Sequence, residues 1–271
     1  MIIGNRKFDV NKHSYIMGIL NVTPDSFSDG GKWEKLDTAL NHVEAMINDG
    51  ADIIDVGGES TRPGHEAVSQ QEEMDRVLPV VETIRKRFDI PISIDTYKAA
   101  VAEAAVNIGA DLINDVWGLK RDPQMAALIA KTGLPCCLMH NRTAIDYNDF
   151  FPDFLSDMRK IAETAKNAGI KEDKIILDPG IGFAKTYEMN LEALRGLKKI
   201  CDLGFPVLLG TSRKSVIGLT LDLPSDQRIE GTIATNVIGI MAGCAFLRVH
   251  DVKEIKRALI MTEAVLGNNY G

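Results

Sequence analysis

No long apolar run occurs in this sequence. A bilayer-spanning helix needs roughly 20 consecutive apolar residues, and the longest candidate, residues 233–247, is interrupted by Asn236, Gly239 and Gly243. No membrane association is therefore expected. The opening Met-Ile-Ile-Gly-Asn-Arg-Lys has no apolar h-region, so no secretory leader is expected either. Positive charge is also in deficit, with 31 Lys and Arg against 38 Asp and Glu and a net charge of −7. That balance argues against nucleic acid or anionic lipid surfaces as partners, so any anion site must be built locally. Cysteine is scarce: Cys136, Cys137, Cys201 and Cys244 show neither CxxC nor metal-ligand spacing. They read as small core residues of a protein in a reducing, cytoplasmic setting, with Cys136 and Cys137 on opposite faces of one strand. No GxGxxG follows the first strand, which weighs against a doubly wound dinucleotide fold. No composition break divides residues 1–271, so a single domain is expected.

What the chain does have is alternation. Short apolar runs near residues 15–20, 51–56, 91–94, 112–113, 134–139, 174–177, 205–209 and 245–249 are separated by segments of helical periodicity. Strand–helix repetition predicts parallel strands with right-handed crossovers. Eight such units in a chain of 271 residues predict an α/β protein, a closed (β/α)8 TIM barrel; a doubly wound open sheet is the alternative.

The apolar runs end on polar residues. The plainest case is Lys174-Ile175-Ile176-Leu177-Asp178-Pro179-Gly180-Ile181-Gly182-Phe183, where a strand buried on both faces meets a carboxylate and then a loop. An unpartnered carboxylate is costly to bury, so a ligand explains it better than folding does, although a helix cap is the competing reading. In a barrel, all strand carboxyl ends converge on one mouth. Asn21, Thr61, Arg62, Asp95, Asn114, His140, Asp178, Lys214, Arg248 and His250 would meet there. Asp95, Asn114 and Asp178 suit a flat heterocycle with a ring N–H beside an amino group. Lys214, Arg248, His250 and Arg62 suit phosphate. Asn21 and the loop after it could offer oxygen to Mg2+, which keeps several waters and phosphate ligands. For each of these there is a plainer role, as cap, turn residue or solvated charge.

Five segments carry a resemblance: residues 21–31 (Asn-Val-Thr-Pro-Asp-Ser-Phe-Ser-Asp-Gly-Gly), 59–64 (Glu-Ser-Thr-Arg-Pro-Gly), 178–183, 212–215 (Ser-Arg-Lys-Ser) and 248–251 (Arg-Val-His-Asp). Together they resemble the dihydropteroate synthases. The resemblance implies an enzyme that joins 4-aminobenzoate to (7,8-dihydropterin-6-yl)methyl diphosphate and releases diphosphate in folate biosynthesis, with Mg2+ as cofactor. It implies a pterin pocket of Asp95, Asn114 and Asp178, with Lys214, Phe183 and Gly210 beside it. Arg248 and His250 would hold diphosphate together with Asn21, which would also approach the metal. Thr61, Arg62 and Pro63 would lie near the aminobenzoate, and Ser215 would open a helix facing its carboxylate. Asp95, Asp178, Lys214, Arg248 and His250 would carry the chemistry. A homodimer through the late helices is implied as well. A methyltetrahydrofolate–corrinoid methyltransferase would explain the three pterin residues but needs neither residues 61–63 nor the Arg248–His250 pair.

Overall fold

The computed structural model describes residues 1–23, 32–60 and 67–267, with side chains of residues 32–35 excepted. The chain opens with a small antiparallel hairpin, β1 (Ile2–Ile3) and β2 (Arg6–Lys7). Then β3 (Tyr15–Asn21), α1 (Lys32–Asn48), β4 (Ile53–Gly57), α2 (Gln70–Arg87), β5 (Ile92–Asp95), α3 (Ala99–Asn107), β6 (Leu112–Asp115) and α4 (Met125–Thr132) alternate. They are followed by β7 (Cys136–Met139), α5 (Phe150–Asn167), β8 (Ile175–Asp178), α6 (Tyr187–Arg195), α7 (Leu197–Cys201), β9 (Leu208–Leu209), α8 (Ser215–Leu221), α9 (Ile229–Ala242), β10 (Phe246–Val249) and α10 (Val252–Leu266). The large sheet is parallel in the order β8-β7-β6-β5-β4-β3-β10-β9, and a Leu177–Val207 bridge joins its two ends. This is the (β/α)8 barrel the alternation predicts.

Side chains on a strand alternate between faces, and here that parity decides function. Met17, Ile53, Leu112, Cys137, Ile176, Leu208 and Phe246 form one buried cluster with Ile3 and Phe8 of the N-terminal segment. It fills the barrel interior and its amino-terminal end. The other strand residues, including Ile16, Ile54, Ile92, Ile113, Cys136, Ile175 and Leu247, pack outward with the helices. Cys136 and Cys137 do face opposite ways, and all four cysteines are free thiols. Two residues beyond Ile53, Leu112, Ile176, Leu208 and Phe246, the same face reaches Asp55, Asn114, Asp178, Gly210 and Arg248. The barrel is apolar at its base and polar at its mouth.

Periodicity does not show the hairpin, because two-residue strands are too short to carry a period. Residues 191–200, whose periodicity predicts part of one helix, instead fall in two, α6 and α7, parted at Gly196, where a Cβ would meet the Phe151 ring at 2.1 Å.

Candidate active site

At the mouth, Arg248 lies between two carboxylates. Its Nε donates to Asp55 Oδ2 at 2.6 Å and its Nη2 to Asp95 Oδ2 at 2.7 Å. Asn114 Nδ2 also donates to Asp55 Oδ2, at 3.3 Å. Register explains the grouping: Asp95 pairs with Asn114 on one side and with Gly57 on the other, and Asp55 pairs with Ser93. Asp55 Oδ1 and Asp95 Oδ1 are buried with no hydrogen-bond partner among the described residues. A buried acceptor without a donor is costly, so these two oxygens call for donors from a ligand.

Gly210 marks the second half of the site. A Cβ there would lie 3.8 Å from Lys214 Nζ, 3.9 Å from Arg248 Cβ and 3.9 Å from Asp178 Oδ2, so these three side chains share one small space. Asp178 is 5% exposed, and its Oδ1 accepts the Gly180 N–H at 2.6 Å. Lys214 Nζ donates to the Ile181 carbonyl at 2.6 Å and lies 4.8 Å from the centre of the Phe183 ring. The cluster forms because the loop after β8 folds over the mouth. That loop needs Gly180, at φ +63°, where a Cβ would fall 2.0 Å from the His140 carbonyl oxygen.

Burial governs the electrostatics. Desolvation pushes the Asp95 carboxyl up to about 7 against the pull of Arg248, with Asp55 adding to the rise. Desolvation also raises Asp178, opposed by Lys214. Loss of water lowers the Lys214 ammonium to about 8, opposed by Asp178. Burial works against the Arg248 charge too, but Asp55 and Asp95 outweigh it and hold the guanidinium above its ordinary value.

Of the residues singled out in the sequence, Asp95, Asn114, Asp178, Phe183, Gly210, Lys214 and Arg248 meet at the mouth. His250 follows β10, and its Nδ1 shares a 3.0 Å hydrogen bond with Ser212 Oγ. Asn21 is the exposed last residue of β3, and Ser215 the exposed first residue of α8. Thr61, Arg62 and Pro63, with residues 24–31 of the first loop, lie outside the described residues. His140 does not belong to the rim. It has the outward parity of Leu138, is fully buried, and meets the edge of Phe154 at 4.8 Å. Asp55 is the missed member, yet its signal was present: a carboxylate inside an apolar strand, on the same face as Ile53.

A barrel whose mouth sets acceptors for a flat N–H-bearing ring beside cations for an anion is that of a pterin-binding enzyme, and the family model described as "Pterin binding enzyme" matches residues 17–250. A dihydropteroate synthase from Clostridium beijerinckii is 59% identical over 267 residues, covering 98% of this chain and 99% of that one. Another from Bacillus subtilis is 58% identical over 251 residues, covering 93% and 88%. A crystal structure of a Clostridium difficile dihydropteroate synthase, obtained in the presence of pteroic acid, superposes with a TM-score of 0.93 at 52% identity, covering 96% of this chain and 99% of that one. The chain belongs to the dihydropteroate synthases. It is accordingly an enzyme, a transferase acting on small molecules, and no helix among the described residues is long and apolar enough to cross a membrane.

Proposed function

We propose that the chain condenses (7,8-dihydropterin-6-yl)methyl diphosphate with 4-aminobenzoate by an SN1-like displacement, with the residues named above in distinct roles. The bond from the CH2 carbon to the diphosphate oxygen breaks, and the electron pair leaves on diphosphate. The aryl amine nitrogen then bonds that carbon and loses a proton. An aryl amine is neutral at pH 7, so departure of diphosphate is the harder event. Arg248 supports that event: with Nε and Nη2 on Asp55 and Asp95, its Nη1 makes no hydrogen bond among the described residues and can face an anion. His250 and Asn21 would flank the same group. Asp95, Asn114 and Asp178 would take the ring N–H and amino donors, with Lys214 toward the ring oxygen. A carboxylate beside the ring favours the positive charge left on it.

The reading rests chiefly on the two donor-less carboxylate oxygens, Asp55 Oδ1 and Asp95 Oδ1, beside Asn114 and Arg248.

The donors present suit Mg2+ in one mode. Among the described residues no three His, Cys, Asp or Glu could hold a metal together. Asn21 instead offers a single amide oxygen at the mouth, which fits an ion taking most of its ligands from diphosphate and water. Bound there, Mg2+ would neutralise charge on the leaving group. Mixing both substrates should release diphosphate and form 7,8-dihydropteroate in equal amounts, and Mg2+ removal by chelator should slow release by at least about 100-fold. Methyl transfer from methyltetrahydrofolate to a corrinoid, with no diphosphate release, would overturn the reading.

A homodimer in the cytoplasm completes the proposal. The four free thiols suit a reducing setting. Ile238 and Met241 on α9 and Ile260, Met261, Val265 and Leu266 on α10 are exposed, and the two helices pack side by side. That apolar surface suits a second copy of the chain. Sedimentation equilibrium should give twice the 29.7 kDa chain mass; a monomer at micromolar concentration would refute the dimer.

A further inference from the structure

The loop that follows Asp178 carries three left-handed residues in five positions: Gly180 at φ +63°, Gly182 at +88° and Ala184 at +45°. Glycine takes such backbone freely, but Ala184 keeps it only where the surroundings hold the loop. Two side chains do so. Asn190 accepts the Gly182 N–H at 2.6 Å and donates to the Thr186 carbonyl at 2.7 Å. Lys185, 8% exposed, donates to the Gly180 carbonyl at 2.9 Å and the Phe183 carbonyl at 3.1 Å, and to His140 Nδ1 at 3.1 Å. An ammonium has three N–H groups, and here each has an acceptor.

The chain of contacts continues outward. With Nδ1 accepting, a neutral His140 carries its proton on Nε2 and donates it to Asp157 Oδ2 at 3.3 Å. Burial keeps that ring neutral by lowering it to about 4. Asp157 Oδ2 also accepts from Arg142 Nε at 2.7 Å. Arg142, Asp157, His140 and Lys185 thus brace the loop from outside the barrel, which accounts for the buried histidine that the rim does not use.

The residues Lys185 holds are those that shape the mouth. The Gly180 N–H fixes the Asp178 carboxylate, the neighbouring Ile181 carbonyl takes the Lys214 ammonium, and Phe183 supplies the ring beside it. We infer that Lys185 is a positioning residue for pterin recognition: its ammonium, braced by His140 and Asp157, sets the loop geometry on which Asp178, Lys214 and Phe183 depend. The inference rests on the assignment of Asp178 to the pterin ring. An apolar residue in its place would leave the Phe183 carbonyl and an imidazole nitrogen without a donor, and the Gly180 carbonyl with only the Phe183 N–H at 3.1 Å. Burial pulls the Lys185 ammonium down to about 7, with Asp178 opposing the fall.

The test compares Lys185→Met and Asp178→Asn with the unaltered enzyme. The Michaelis constants for pterin diphosphate and for 4-aminobenzoate are measured separately, each with the other substrate saturating. Lys185→Met is expected to raise the pterin constant by about 30-fold, the loss of one or two charge-assisted bonds, and to leave the 4-aminobenzoate constant within about threefold. A folded Lys185→Met enzyme with an unchanged pterin constant would overturn the inference. So would an equal rise in both constants, which is the mark of general loosening. If Asp178→Asn binds pterin normally, the underlying assignment fails and the inference with it; if Asp178→Asn is weakened and Lys185→Met is not, only the inference fails. Should Lys185→Met not fold, Lys185→Gln retains two N–H donors and is expected to raise the pterin constant about fivefold, an unchanged constant again being the refuting result.

Discussion

Replacing Arg248 by alanine is expected to cost the enzyme both stability and turnover, and the stability loss is expected to grow with pH. Arg248 is the cation between Asp55, which is fully buried, and Asp95. Removing one partner of a buried ion pair leaves uncompensated charge, with a typical loss of about 3–5 kcal/mol. The pH dependence follows from Asp95, which binds its proton more tightly in the fold, at about 7, than its ordinary value of 3.8. A group with a raised folded value contributes stability that is fully present below the unfolded value and is lost as pH rises through the folded one. Without Arg248, which opposes the rise, the folded value moves higher, so Asp95 stays protonated over a wider range. The difference in melting temperature between Arg248→Ala and the unaltered enzyme should therefore be smaller at pH 5 than at pH 9, where about 3 kcal/mol corresponds to roughly 6 °C or more. Loss of the guanidinium facing the departing diphosphate should lower kcat/KM by about 1000-fold. Thermal unfolding at pH 5, 7 and 9 with steady-state kinetics checks both halves; a difference that shrinks as pH rises would show that the two carboxylates are not what Arg248 compensates.

Most of the mouth could be read from the chain because parallel strands buried on both faces are nearly continuous apolar runs. A polar residue ending such a run stands out, and Asp95, Asn114 and Asp178 did. The rule of twos goes further than the strand ends. Asp55 shares a face with Ile53 and points inward; His140 shares one with Leu138 and points out. Applying that parity to every strand recovers the first and removes the second, and no coordinates are needed. Lys185 is different. Its ammonium reaches back across a loop of left-handed residues to Gly180, His140 and Phe183, and no spacing in the sequence encodes that path. The hairpin at the base is hidden for a further reason: Ile3 is a core residue on a strand only two residues long. What the sequence conceals is therefore the bracing of the site rather than its polar lining.

Replacing Asp178 by asparagine is expected to lower kcat/KM for pterin diphosphate by about 1000-fold while leaving the fold intact. The substitution keeps the shape of the side chain, so packing among Ile176, Gly180 and Gly210 need not change. It alters the donor pattern. One oxygen must still take the Gly180 N–H at 2.6 Å, which sends the amide NH2 toward the site and Lys214. A donor then faces a cation, and the ring donors of the pterin lose their acceptor. Two charge-assisted hydrogen bonds at about 1.5–3 kcal/mol each set the scale, and the lost carboxylate also withdraws its favourable field from the cation formed as diphosphate departs. Stability should move little, because burial already raises Asp178 above its ordinary range and so works against its charge in the fold. Substrate binding and the chemical step can be separated by measuring pterin affinity alongside single-turnover rates. Near-normal turnover with full pterin binding would remove Asp178 from both roles, and with it the reading of this mouth as a pterin pocket.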